Sequence, residues 1–197
     1  ADGNAYLANL RKARTIMRYK FAQPGTVTWH PQFTYMGFRY ALVVQWPGTP
    51  RAENFTAYTL HTAMEPAGQF QCSEPLVNGL HHNITWGLKS NFLDVPTDCP
   101  QRDERLGWTG DAQIFSETAC WLADTWTFYT KWLTDLVADQ LPDGGVTNVV
   151  PNIEEHHTEG NWLMRTSPYG MSGWADAATI IPWVVYKMYG DASILRN

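Results

Sequence analysis

A chain of 197 residues with 44% hydrophobic side chains is long enough for one ordinary domain with its own core, or for parts of two. Only 17% of the residues are charged, 14 basic against 19 acidic for a net charge of −5, so the electrostatic footprint of a nucleic-acid or anionic-membrane binder is missing. No apolar run approaches the roughly 20 residues that a membrane-spanning helix needs, and Cys72, Cys99 and Cys120 form no C-x-x-C pair that would indicate a zinc framework or a dense disulfide scaffold.

The first third alternates. Thr15, Met17, Tyr19 and Phe21 interleave with Arg18 and Lys20, Phe38, Tyr40, Leu42 and Val44 repeat at period two, and a third run covers residues 55–62. Period two is strand behaviour, and Pro24-Gly25 and Pro47-Gly48 supply the turn chemistry between the runs, with a bulge expected at Gly37. Three such strands read as part of a β-sandwich, and not as a complete one.

After Glu65-Pro66 the period changes. Leu76, Leu80, Ile84 and Leu88 fall four apart behind Ser73-Glu74-Pro75, which predicts a helix capped by Ser73 with Pro75 in its first turn. A Pro-rich loop is expected over residues 95–100. Ile114, Thr118, Trp121 and Leu122 then mark a second helix, and Trp126, Tyr129, Leu133, Leu136 and Val137 a third, with the break near Ala123-Asp124. Leu141-Pro142-Asp143-Gly144-Gly145 stops it. Residues 146–171 show no sustained period, so a long loop is expected, and long loops in compact domains are often functional. The last helix takes Trp174, Ala178, Ile181, Val185 and Met188 on one side, is kinked by Pro182 and is capped by Gly190.

The chemistry concentrates in one run, Asp98-Cys99-Pro100-Gln101-Arg102-Asp103-Glu104-Arg105-Leu106-Gly107-Trp108-Thr109-Gly110-Asp111, which puts four carboxylates, two guanidiniums and an indole into a loop and helix start. Asp111 in the first turn would be kept ionised by the helix dipole, as an acceptor for sugar hydroxyls. Like charges around Glu104 would favour its protonated form, as a general acid requires, whereas pairing with Arg102 or Arg105 would oppose this. Trp108 is a possible platform for a pyranose ring. The plainer alternative is a salt-bridged helix-entry loop with Asp–Arg pairs, Thr109 as cap and Trp108 buried.

The whole run, preceded by Asn91-Phe92-Leu93-Asp94-Val95-Pro96-Thr97, resembles the signature of the bacterial-type α-L-rhamnosidases. Asn9-Leu10-Arg11 and Phe33-Thr34-Tyr35-Met36-Gly37-Phe38-Arg39-Tyr40 resemble that family's β-sandwich, Glu65-Pro66 with Gly68 and Phe70 its domain junction, and Gly173-Trp174-Ala175-Asp176-Ala177 a later part of its helical barrel. The resemblance implies the C-terminal part of a β-sandwich over residues 1–66, followed over residues 67–197 by the first helices of an (α/α)6 barrel, both incomplete. It also implies hydrolysis of terminal α-L-rhamnose with inversion, without metal or cofactor. Glu104 matches the family's general acid, and Asp98, Trp108, Asp111 and Trp174 match positions that hold the sugar. Arg102 and Asp103 are assigned to shaping the pocket, and Asp103 is the next acid to test if Glu104 proves salt-bridged and exposed.

An inverting hydrolase also needs a second carboxylate roughly 6.5–9.5 Å from the acid to activate water. The family takes that base from further downstream, and no position here matches it. The expected partners are therefore a rhamnose-containing glycoside and the remainder of the catalytic domain, or an oligomeric partner. A non-catalytic rhamnose-binding fragment is the alternative, and an (α/α)6 hydrolase of other sugar specificity is a third. His81-His82 and His156-His157 diverge too far as neighbours to chelate if helical, and Glu154, Glu155 and Glu159 form a polar loop cluster beside the second pair. Ser167 and Ser172 lack a nucleophile-elbow context. The compartment, cytoplasmic or secreted, stays open, with two sequons at Asn54 and Asn83.

Overall fold

The computed structural model describes residues 5–153 and 170–196. Its regular elements, in chain order, are α1 (Pro75–Asn91), the two-residue strands β1 (Phe92–Leu93) and β2 (Val95–Pro96), α2 (Thr109–Leu122), α3 (Trp126–Ala138) and α4 (Ala177–Tyr189). Short 3-10 turns lie at Ala8–Leu10, Ala52–Asn54 and Ala192–Arg196. His156, His157, Glu154, Glu155, Glu159 and Ser167 fall outside the described residues.

The three strands expected in residues 15–62 are not formed as ladders among the described residues. Phe38, Tyr40, Leu42 and Val44 are all exposed, as are Ile16, Met17, Phe55 and Tyr58. A strand is defined by the neighbour that accepts its N–H groups, and no backbone hydrogen bond joins these runs to one another among the described residues. What order they have comes from aromatic contacts: Tyr19 against Phe21 and Trp29, and Trp46 against Phe55. Gly37 is not a bulge. Its N–H donates to the Pro100 carbonyl at 2.9 Å, and an added Cβ would lie 2.9 Å from Pro100, so glycine there permits a close approach of backbones.

The segment ending this region is tied to the helices. The Thr62 N–H donates to the Phe92 carbonyl at 2.8 Å, while the Asp124 N–H donates to Glu65 and the Ala67 N–H to Leu122. Helix α1 begins one residue later than expected: Glu74, not Ser73, is the cap, its Oε1 accepting from the Leu76 N–H at 3.0 Å, with Pro75 at the first helical position. The expected Pro-rich loop opens instead as a β1–β2 hairpin, Phe92 opposite Pro96 and Leu93 opposite Val95, turning through Asp94 at φ 67°.

The core is aromatic. Phe92 stacks on Phe128 with centroids 4.5 Å apart and meets Tyr129 and Phe115 edge-on. Tyr129 and Trp132 of α3 and Ile181 and Val185 of α4 are fully buried, each side chain worth about 1.5–3 kcal/mol of transfer free energy. Helices α2 and α3 both pack on α4. The face of α2 that does so is not the apolar one: Ile114 and Trp121 point to solvent, whereas Ala112, Gln113, Ser116, Ala119 and Cys120 are buried. Small side chains let the two helix backbones come close, and proximity here outranks hydrophobicity. Helix α4 runs through Pro182 and ends at Gly190, left-handed at φ 73° with its N–H on the Tyr186 carbonyl.

Candidate functional site

The 98–111 run folds as a closed loop leading into α2. Asp98 and Leu106 clamp its two ends: the Leu106 N–H donates to Asp98 Oδ1 at 3.1 Å, and the Asp98 N–H donates to the Leu106 carbonyl at 3.2 Å. Behind the loop lies the segment after α3. The Val150 N–H donates to the Gly107 carbonyl, the Thr109 N–H to Asn148, and Trp108 bridges to Val149. Trp132 supports this layer by donating its indole N–H to the Val150 carbonyl at 3.1 Å.

Trp108 caps α2 and is only 6% exposed, with its indole N–H buried and without a partner among the described residues. It is therefore not an open stacking platform in this state. Thr109 is the first helical residue rather than the cap, its hydroxyl donating to the Asn148 carbonyl at 3.0 Å.

Asp98, Asp111 and Trp174 line one cleft of about 560 Å³, whose apolar wall comes from Ile84, Phe92 and Phe115. Trp174 sits in the turn before α4. That turn is held to α2 by Gln113, whose side-chain amide donates to the Gly173 carbonyl at 2.6 Å, and by Gly110, where an added Cβ would lie 3.0 Å from the Trp174 indole nitrogen. Asp111 keeps an exposed edge, but burial of its carboxyl and, next, the charge of Asp98 push its pKa above the ordinary aspartate value, with Arg102 opposing. The helix dipole expected to keep it ionised is outweighed by these two effects.

Glu104 and Trp108 do not line the cleft; Glu104 stands on the loop beside it. Its Oε1 takes ion pairs from Arg102 Nε at 2.9 Å and from Arg11 Nη1 at 2.8 Å, and its side chain is 20% exposed. Glu104 is thus salt-bridged yet largely enclosed, while Asp103 is exposed. Asp98, Cys99 and Glu104 bring ligand atoms within 4.8 Å of one another, a spacing that a metal ion would suit. Arg102 already fills that role: its guanidinium lies beside Cys99, Glu104 and Asp98, and the interaction with Cys99 first, then the charges of Glu104 and Asp98, raise its pKa above the ordinary value against the effect of burial.

Residues 65–197 match the family described as the bacterial α-L-rhamnosidase 6 hairpin glycosidase domain, and residues 1–61 the bacterial α-L-rhamnosidase concanavalin-like domain. The chain belongs to the bacterial α-L-rhamnosidase family. It is 43% identical over 196 residues to an α-L-rhamnosidase of Streptomyces avermitilis, covering 100% of this chain and 18% of that protein, and 39% identical over 198 residues to one of Formosa agariphila, covering 100% and 20%. Among solved structures, the S. avermitilis α-L-rhamnosidase complexed with L-rhamnose superposes with a TM-score of 0.87 over 98% of this chain and 18% of that one, at 43% identity. The native enzyme from Aspergillus terreus superposes with a TM-score of 0.73 over 85% and 18%, at 46% identity. The chain thus spans about a fifth of the length of the rhamnosidases it matches. No described helix is long and apolar enough to cross a membrane.

Several contributors to this site were not read from the sequence as site residues. Gln113 reads as an ordinary helix residue, and only its place one turn after Gly110 marks it in retrospect. Arg11, Tyr35 and Gly37 stand 60 or more positions before the loop they touch, and no periodicity reports a contact of that range.

Proposed function

We propose that this chain supplies the general-acid half of an inverting α-L-rhamnosidase site. The observation that carries the reading is the single cleft on which Asp98, Asp111 and Trp174 converge beside the Glu104 loop, in a chain that belongs to the rhamnosidase family. In this reading residues 1–66 form a β-sandwich portion and residues 67–197 the opening helices of an (α/α)6 barrel. Glu104 protonates the departing glycosidic oxygen. Asp98 and Asp111 accept from rhamnose hydroxyls and Trp174 closes one side of the ring, with Trp108 backing the pocket from behind the cleft wall. The water-activating base comes from the remainder of the catalytic domain, and the substrate is a glycoside ending in α-L-rhamnose.

Inversion requires the two carboxyl groups to stand far enough apart to admit water, roughly 6.5–9.5 Å. General acid assistance contributes about 10²–10⁴-fold. In the full-length protein, Glu104→Gln is therefore expected to cut hydrolysis of phenyl α-L-rhamnoside by at least about 100-fold, and NMR of the first-formed sugar is expected to show the inverted anomer. Unchanged turnover in Glu104→Gln, or a retained anomer, overturns the reading. A second reading, a rhamnose-binding module without turnover, is favoured by the two guanidiniums that occupy Glu104. It predicts rhamnose binding by calorimetry with no aryl rhamnoside cleaved by the full-length protein.

A further inference from the structure

The loop that carries Glu104 is held from the far end of the chain by three separate contacts. Arg11 Nη1 pairs with Glu104 Oε1 at 2.8 Å, Arg105 donates to the Tyr35 carbonyl at 2.8 Å with its guanidinium 5.9 Å from the Tyr35 ring, and the Gly37 N–H donates to the Pro100 carbonyl at 2.9 Å. Both arginines adopt positive φ, 55° at Arg11 and 32° at Arg105. Residues with a Cβ seldom take that conformation. Gly37 repeats the pattern by a different means, since any side chain there would collide with Pro100. Three unusual backbone choices therefore serve one junction, and the junction is the acid loop.

Arg11 differs from the other two in touching the carboxylate itself. It and Arg102 converge on the same oxygen, Oε1, which lies buried between them. With two guanidinium charges set against Oε1 at ion-pair distance, though without a hydrogen bond to it among the described residues, the proton that a general acid donates belongs on the other oxygen, Oε2. Resting on the reading of Glu104 as the general acid, we propose that Arg11 is a positioning residue which reaches across from the N-terminal segment and fixes the Glu104 carboxyl with Oε2 as its proton-donating atom.

A leaving group that needs protonation separates positioning of the acid from general damage. In the full-length protein, Arg11→Met is expected to lower kcat for phenyl α-L-rhamnoside about tenfold, part of the 10²–10⁴-fold that general acid assistance provides, with KM within about twofold. Its kcat for 2,4-dinitrophenyl α-L-rhamnoside, whose leaving group departs without a proton, should stay within about twofold. Arg11→Lys, which keeps the charge, should recover most of the loss. Equal losses on both substrates, or none on either, overturn the proposal. If Arg11→Met compromises folding by circular dichroism, Arg11→Gln is measured on the same pair by the same criterion. Glu104→Gln separates the two levels of the argument. If it fails to discriminate between the substrates, or the wild type cleaves neither, the acid assignment falls and this proposal with it. If Glu104→Gln discriminates and the Arg11 variants do not, only the proposal falls.

Discussion

Gly107 offers the sharpest test of how the acid loop is supported. A Cβ built there would stand 2.0 Å from the Val150 carbonyl oxygen and 3.2 Å from the Val150 carbonyl carbon. That first distance is short by roughly 1.3 Å of the ~3.3 Å at which a carbon and an oxygen rest in contact. The obstacle is backbone, so no rotamer relieves it. Separating the two segments strains the Val150 N–H to Gly107 bond and the buried Trp132 indole bond to Val150. Overpacking costs about 1–3 kcal/mol and each hydrogen bond lost about 1 kcal/mol more, so Gly107→Ala should cost about 3 kcal/mol or above. At about 2–4 °C per kcal/mol for a chain of this size, Tm should fall by about 10 °C. Thermal unfolding followed by circular dichroism at 222 nm measures this, and a Gly107→Ala variant within about 1 °C of wild type would refute the packing argument. Gly79 is the matched control, inside α1 with nothing within 4 Å of an added Cβ. Gly79→Ala should raise stability by about 0.5–1 kcal/mol, because only the helix propensity changes.

Asp111 gives a pH test. Its folded pKa is raised, by burial first and by Asp98 second, so the unfolded chain ionises at lower pH than the native one. The resulting loss of native stability is absent below the ordinary aspartate pKa of about 3.9 and grows as pH rises through the folded value. Urea titrations of wild type and Asp111→Asn from pH 3.5 to 7 should show the variant gaining on wild type as pH rises, and a gap that is flat or closes with pH rejects the cause assigned. Tyr129 is fully buried, and its hydroxyl has no partner among the described residues. Tyr129→Phe should therefore be neutral or stabilising by about 1 kcal/mol in the same titration, and a loss of 2 kcal/mol would point to a bound partner. All three cysteines are free, Cys72 half-buried and the other two buried. Burial also pushes the Cys120 thiol pKa up. Iodoacetamide at pH 8 should alkylate Cys72 first and leave Cys120 intact until denaturant is added, with peptide mass spectrometry as the readout.

The helices were readable in the sequence because their ends carry punctuation: Pro75 at the start of α1, the break at Ala123-Asp124 and Gly190 at the end of α4 all stand where local chemistry placed them. Which face each helix buries was legible only where the neighbour is large and apolar. In α3, Tyr129, Leu133 and Leu136 of the predicted set are buried, whereas Trp126 and Val137 are exposed. In α2 the hydrophobic Ile114 and Trp121 were expected inside and lie outside, because the contact with α4 selects small residues for close approach. The period-two runs before residue 62 encode a face to be covered, but alternation cannot name the strand that covers it. For the site, one dense run identified the family and brought Asp98 and Asp111 to a common cleft with Trp174. It also predicted competition for Glu104 between like charges and Arg102 or Arg105; Arg102 pairs with the carboxylate, whereas Arg105 turns away to the Tyr35 carbonyl.

The partner that sequence reading did not supply, Arg11, changes how the loop's charge should be understood. Arg102 alone would have to serve Cys99, Asp98 and Glu104 together, and its distance to Asp98, 3.8 Å, is already long. With Arg11 on Glu104 from the opposite direction, the loop's acids no longer depend on a single cation, and Asp98 stays free to close the loop through Leu106 while presenting an edge to the cleft. An ion pair whose cation is 56% exposed, as Arg11 is against Glu104, contributes little to stability, ~1 kcal/mol or less. Little stability is gained for a backbone held at φ 55°. The geometry is better accounted for by the placement of one oxygen than by the strength of one bond, which is why the two leaving groups, and not a melting curve, discriminate the role of Arg11.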